Sequence, residues 1–296
     1  MQKRRADAES SFSIRISKNK ELKTGWRVIP AFSIELHSRD VNFLQSIQSF
    51  FKGVGTLIVN KRNGSVIYSV QSPKDLTNVI IPHFNKYPLV TQKQADFLLF
   101  KSVIELMNAK EHLTTSGLNK ILSIRASINK GLSEELKTAF PNITPVKRPL
   151  FEFTEENLDP NWLAGFVEGE GCFNVLISKS LTYTTGSKVQ LRFIITQHSR
   201  DLELMKSLIN HLGCGRTELD PRGPVVNFVV TKLSDITEKI IPFFDKYPIV
   251  GVKAKDFADF RKAAEIMKDK GHLTPEGLEQ IQKIKASMNT GRNYSE

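Results

Sequence analysis

Ile81-Pro82-His83-Phe84-Asn85-Lys86-Tyr87-Pro88 and, 160 residues later, Ile241-Pro242-Phe243-Phe244-Asp245-Lys246-Tyr247-Pro248 are one phrase written twice. The copying extends in both directions. Upstream, His37-Ser38-Arg39-Asp40 returns as His198-Ser199-Arg200-Asp201, and Glu9-Ser10-Ser11-Phe12 as Glu170-Gly171-Cys172-Phe173, both at an offset of 161. Gly53-Val54-Gly55 matches Gly213-Cys214-Gly215 at 160. Downstream, His112-Leu113-Thr114 matches His272-Leu273-Thr274, and Asn129-Lys130-Gly131 matches Asn289-Thr290-Gly291. A single register shift over more than a hundred positions marks a duplication, and a period this long is a whole domain rather than a solenoid repeat. The expected organisation is an N-terminal lobe over 1–140, a proline-marked linker over 141–160 and a C-terminal lobe over 161–296. Pro141, Pro145 and Pro149 lack amide donors and resist helix and central strand.

Within each copy the apolar residues alternate before they turn helical. Phe12, Ile14 and Ile16 face one way, with Ser13, Arg15 and Ser17 between them. Val189, Leu191, Phe193 and Ile195 repeat the pattern against Lys188, Gln190, Arg192 and Ile194. Period two predicts half-buried strands. Two shorter strands are expected near 56–60 and 65–70, joined through Arg62-Asn63-Gly64, where Asn-Gly favours a tight hairpin. Leu44, Ile47 and Phe51 are spaced for a helix from Asp40. Ser72-Pro73 reads as a helix N-cap followed by proline at the first position, with Leu76, Val79 and Ile80 as its stripe. A longer helix is expected over 91–108, and Thr114 and Thr274-Pro275 open the last one of each copy. The order of helix, two strands, helix, two strands and further helices is α+β, with an antiparallel sheet keeping one polar, basic face.

Composition narrows the partner. The net charge is +11 over 296 residues, and it is lopsided: residues 1–150 hold 23 Lys and Arg against 11 Asp and Glu, residues 151–296 hold 19 against 20. Such an excess favours a polyanion, with affinity from counterion release; a solubilising surface is the plainer alternative. Cys172 and Cys214 form no metal-ligand pattern, which argues against zinc and a disulfide framework and for a reducing interior. No apolar run approaches the ~20 residues of a membrane span, and no apolar stretch follows the basic start to make a secretory signal. The histidine spacings make no metal pair, so a structural role is expected for His37, His198, His112 and His272.

Leu163-Ala164-Gly165-Phe166-Val167-Glu168-Gly169-Glu170-Gly171 carries the chemistry. Gly165 and Gly169 share a helical face and would let a second backbone approach; Gly171 should end the helix. A carboxylate there sits against the negative end of the helix dipole unless a cation is supplied. The plainer reading is a glycine-rich buried helix with an incidental glutamate. The stretch resembles the LAGLIDADG motif, and the chain is similar to the monomeric LAGLIDADG homing endonucleases, with the first motif truncated. The resemblance implies two pseudo-symmetric αββαββα lobes whose antiparallel sheets form a DNA-binding saddle. It implies a metal-dependent hydrolase of long double-stranded DNA targets, encoded in an organellar, mitochondrial intron and working as a monomer with Mg²⁺. It makes Glu9 and Glu170 the catalytic metal ligands, with the backbone carbonyls of Ala8 and Gly169 beside them. Gln197, at the end of its strand, becomes a water-positioning residue, where copy one has Leu36; a strand-end amide capping the core is its structural alternative. Lys93 and Lys253, each five residues past the repeated Tyr-Pro, become the basic residues near the scissile phosphate. Arg15, Arg27, Arg62, Lys188, Arg192, Arg216 and Arg222 are the expected DNA contacts, guanidinium suiting guanine or phosphate.

The first motif departs from the family. Gln2, Lys3, Arg4 and Arg5 stand opposite Leu163, Ala164, Gly165 and Phe166, and four polar residues cannot bury in a tight seam without a large desolvation cost. Only Ala6-Asp7-Ala8-Glu9 survives of it. A DNA-binding or intron RNA-binding maturase, or a cleavage-inactive homologue, therefore stands beside the nuclease at this point.

Overall fold

The computed structural model describes residues 7, 9–61, 63–151 and 158–292. Residues 2–5, on which the truncated first motif was read, lie outside these, as do Ala8 and Arg62. The chain divides into two compact units, Glu9–Glu152 and Phe153–Glu296, with Met1–Ala8 joining the second.

In the first unit, β1 (Ser10–Lys18) pairs antiparallel with β2 (Trp26–His37). After α1 (Val41–Phe50) come β3 (Thr56–Asn60) and β4 (Ser65–Val70), completing a four-stranded antiparallel sheet of order β1-β2-β4-β3. The alternation places Phe12, Ile14 and Ile16 inside and Arg15 outside. Helices α2 (Ile81–Lys86), α3 (Lys93–Asn108), α4 (Thr115–Arg125) and α5 (Glu134–Ala139) follow. The core is a phenylalanine cluster: the Phe12 ring lies 5.3–5.4 Å from those of Phe32, Phe84, Phe97 and Phe100. Such pairs contribute roughly 0.5–1.5 kcal/mol each beyond area burial.

The second unit repeats the plan. It opens on α6 (Pro160–Glu170), which runs without a loop into β5 (Gly171–Lys179), and continues through β6 (Ser187–His198), α7 (Leu202–Leu212), β7 (Arg216–Asp220) and β8 (Val225–Val230). The sheet order is β5-β6-β8-β7. Helices α8 (Ile241–Lys246), α9 (Lys253–Lys268) and α10 (Pro275–Ala286) close it. Phe173 sits 5.2–5.8 Å from Phe193, Phe244, Phe257 and Phe260, the same cluster at the repeat offset. Thr114 and Thr274 each accept the amide N–H three residues on, capping α4 and α10 as expected.

One expectation changes and three gain detail. The stripe after Ser72 is not a plain α-helix: Ser72 caps one α turn, Pro73–Asp75, and Leu76–Ile80 is a π-helix. The same widened turn, Ile236–Ile240, precedes Pro242. Proline removes a donor and its ring clashes with the carbonyl four residues back, so a wider turn ahead of it relieves both. The two short strands meet in the expected hairpin, with Asn60 paired to Ser65; Gly64 takes a φ of +68°, while Asn63 accepts the Ser65 amide with its side chain. Gly171 ends α6 without the left-handed cap, at φ −84° and ψ 154°. It is glycine because a Cβ there would lie 2.5 Å from both Cγ1 and the carbonyl oxygen of Val167.

The fourth concerns the domain boundaries. The stretch expected as a surface linker is packed onto the first unit through residue 151. The Val146 amide donates to Ser123 O, Ser127 Oγ to Val146 O, and Gln92 Nε2 to Phe151 O. Asp7 belongs with the second unit, where its buried carboxylate accepts the Trp162 indole N–H at 2.8 Å. Contacts 155 residues apart in sequence, rather than composition, set these limits.

Candidate active site and nucleic-acid interface

Glu170 is the last residue of α6, half-buried, held there because the following glycine lets the chain turn straight into β5. A helix end exposes unsatisfied carbonyls that collect positive charge. Here Lys253, the first residue of α9, supplies it: its Nζ donates to Val167 O and Gly169 O at 3.2 Å and to Gly171 O at 2.5 Å. An ammonium thus lies at this helix end, and Lys253 and Gly169, both singled out from the sequence, are brought together. Lys253 is no solvated helix-start lysine. Carboxylate and carbonyl oxygens form a hard, oxygen-only donor set, which fits Mg²⁺ or Ca²⁺ and not zinc.

Gln197 lies two residues past Ile195, the β6 partner of Gly171, so the register brings it alongside the end of α6, which packs on β6. It is half-buried, and its Oε1 accepts the His198 amide N–H at 2.9 Å. In the first unit the matching Leu36 is buried. Glu9, half-buried, immediately precedes β1, and Lys93 is the half-buried first residue of α3.

The outer faces of the sheets carry most of the remaining candidates. Arg15 and Arg27 are exposed on neighbouring strands two residues apart in register, and no ion pair holds either among the described residues. Lys188 is exposed and Arg192 half-buried on β6. Sequence reading missed what holds the arginines of this second sheet. Glu218 bridges two of them, accepting from Arg192 Nη2 at 3.2 Å and Arg216 Nη2 at 2.5 Å. Arg222 pairs with Asp220 in the β7–β8 turn, and that contact holds the Asp220 carboxyl down at about 2. The only sequence signal was the alternating Arg-Thr-Glu-Leu-Asp of β7, which puts Arg216, Glu218 and Asp220 on one face.

The histidines are structural. Nδ1 of His37 and of His198 accepts the amides of Arg39 and Arg200, capping matched turns. Burial lowers the pKa of His112 and of His272. No helix of the described residues is long and apolar enough to cross a membrane.

Comparison with known proteins agrees with this geometry. The family model described as LAGLIDADG endonuclease matches twice, over residues 6–104 and 163–264. Two proteins of Neurospora crassa are similar along almost the whole chain. "Probable intron-encoded endonuclease 3" is 41% identical over 93% of this chain and 51% of its own length. "Probable intron-encoded endonuclease 2" is 42% identical over 96% and 63%. The chain thus spans between half and two thirds of these relatives. Among solved structures, I-SmaMI bound to cleaved DNA superimposes with a TM-score of 0.95 at 49% identity, covering 99% of this chain and 97% of that one. I-LtrWI bound to target DNA gives 0.94 at 44% identity, covering 97% and 96%. Two family matches falling on the two copies, each with its acid between helix end and strand start, leave one assignment: the chain belongs to the LAGLIDADG endonuclease family.

Proposed function

We propose that the protein is a single-chain homing endonuclease that hydrolyses one phosphodiester bond in each strand of a long double-stranded DNA target. The observation that carries this is the motif-end acid of the second unit, Glu170, set where helix-end carbonyls already gather a cation, and repeated by Glu9 in a twice-matched LAGLIDADG chain. Each unit serves one half of the target. Glu9 with the Ala8 carbonyl, and Glu170 with the Gly169 carbonyl, would hold divalent cations, Mg²⁺ in the cell. Such an ion supplies Lewis acidity toward the phosphate and stabilises charge developing on the leaving oxygen.

The chain's own residues do the rest. Lys253, beside the helix-end carbonyls, offers its ammonium to the scissile phosphate, and Lys93 serves the other strand. Gln197 orders water beside Glu170, a function Leu36 cannot perform in the first unit. Arg15, Arg27, Arg62, Lys188, Arg192, Arg216 and Arg222 contact DNA from the outer sheet faces and their turns, reading base edges and phosphates as β-ribbons do in the major groove. The basic first half supplies much of the sequence-independent attraction. Kinship supports an organellar, mitochondrial intron origin: a protein from an ND4 intron of Podospora anserina is 41% identical over 111 residues.

The test is a supercoiled plasmid carrying a site selected from a randomised duplex library. The parent should linearise it with Mg²⁺ and bind without cutting in EDTA or Ca²⁺. Glu9→Gln and Glu170→Gln should each lose linear product by at least the ~10–100-fold seen when a metal site's support is removed. Variants that cut like the parent would remove both acids from the mechanism.

A further inference from the structure

Each unit contains the same buried carboxylate hub, and the two hubs are completed from different parts of the chain. Asp96 and Asp256 lie three residues after Lys93 and Lys253, in the first turns of α3 and α9, and both are almost fully buried. Oδ1 of Asp96 accepts the Asn129 amide at 3.3 Å, and Oδ1 of Asp256 accepts the Asn289 amide at 3.0 Å. Both asparagines adopt a positive φ, +52° and +53°. Their side chains then reach back to the sheet: Asn129 Nδ2 donates to Phe12 O at 2.8 Å, and Asn289 Nδ2 to Phe173 O at 3.0 Å. Phe12 and Phe173 each stand three residues after the motif acid. A continuous polar path therefore links the lysine-bearing helix to the acid-bearing strand, twice.

A buried carboxylate needs a cation. In the second unit it is Arg292, three residues past Asn289, which donates from Nε at 3.0 Å and Nη2 at 2.8 Å to Asp256. Three residues past Asn129 the first copy has Leu132, which cannot serve. The cation comes instead from the stretch between the copies. Arg148 Nη1 donates to Asp96 Oδ1 at 2.7 Å and to Ser127 O at 3.0 Å, while Nη2 donates to Gln92 O at 2.9 Å. Gln92 immediately precedes Lys93, so one guanidinium grips both sides of the lysine.

We infer that Arg148 is a positioning residue for the first unit's half of the reaction, acting through Asp96 and Gln92 on the alignment of Lys93 with the Glu9 strand. Arg292 is its counterpart for Lys253. The inference rests on the endonuclease reading above. Arg148 is thereby a working part of one half-site, supplied by the connection between the copies.

The experiment follows each strand separately, using an end-labelled duplex of the selected site under single-turnover conditions with Mg²⁺. Arg148→Ala should slow one strand by roughly 10–100-fold, as small misplacements of a reacting group do, and accumulate nicked circles from plasmid. Arg292→Ala should slow the opposite strand. Affinity for the duplex in Ca²⁺ should stay within a factor of about two. Arg148→Lys restores the charge but not the two-sided grip, so its folding should match the parent while its rate falls between parent and alanine variant. Equal slowing of both strands by Arg148→Ala, or parent rates on both, overturns the inference while leaving the nuclease intact. Arg148→Lys indistinguishable from the parent on both strands does the same. A parent that binds the duplex and cuts neither strand overturns the endonuclease reading and this inference together.

Discussion

The two units are close copies in their cores and differ around their acids. The phenylalanine cluster, the Asp-Asn hub, the threonine caps and the π-turn before proline recur residue for residue. Beside the acids the copies part: Gly171 stands opposite Ser10, Gln197 opposite Leu36, and Arg292 is replaced by an arginine from outside the repeat. The charge follows the same division, with the excess of Lys and Arg confined to residues 1–150. Duplicated scaffolds tolerate little change where packing density is high, because a methylene is felt there. Polar residues near the surface of each half are freer to specialise, and the difference shows which parts position the site and which tune it.

Gly171→Ser tests that division with the largest effect on stability. It writes the first unit's residue into the second, where the added Cβ would meet Val167 at 2.5 Å. Overpacking of this kind costs about 1–3 kcal/mol, and the melting temperature should fall by several degrees while Ser10→Gly changes it little. An unchanged melting curve would mean that the passage from α6 into β5 relaxes freely, and the difference between copies would be drift.

Glu218→Gln asks whether the second sheet is restrained by its own acid in a way the first is not. Losing two half-exposed ion pairs should cost little stability. Freed arginines should instead pair with phosphates, steepening the dependence of log K on log salt for random duplex DNA by roughly 0.9 for each new contact. A slope equal to the parent's would mean that Glu218 leaves both arginines available already.

The smallest effect concerns His112 and His272, whose pKa is lowered by burial and whose Nδ1 finds no hydrogen-bond partner among the described residues. Burial disfavours the protonated form of each, so the unfolded chain takes up the proton first. Stability is complete above the ordinary histidine value near 6.5 and declines as the pH falls below it toward the lowered folded values. Melting between pH 7.5 and 5.5 should show this slope, and His112→Asn and His272→Asn should each remove a similar part. Unequal shares would break the equivalence of the two loops.

Much of this protein was legible before any coordinates. The duplication, the alternation of Phe12, Ile14 and Ile16, the caps at Ser72 and Thr114, and the motif ending at Glu170 are local or periodic signals, and each follows from the spacing of side chains along one element. The decisions left to tertiary structure join residues far apart in sequence. Lys253 meets the carbonyls of α6 across 84 and 86 residues, Arg148 meets Asp96 across 52, and Trp162 meets Asp7 across 155. No periodicity announces such pairs, because burial, not sequence neighbourhood, determines which carboxylate needs which cation and which helix end is left open to receive one.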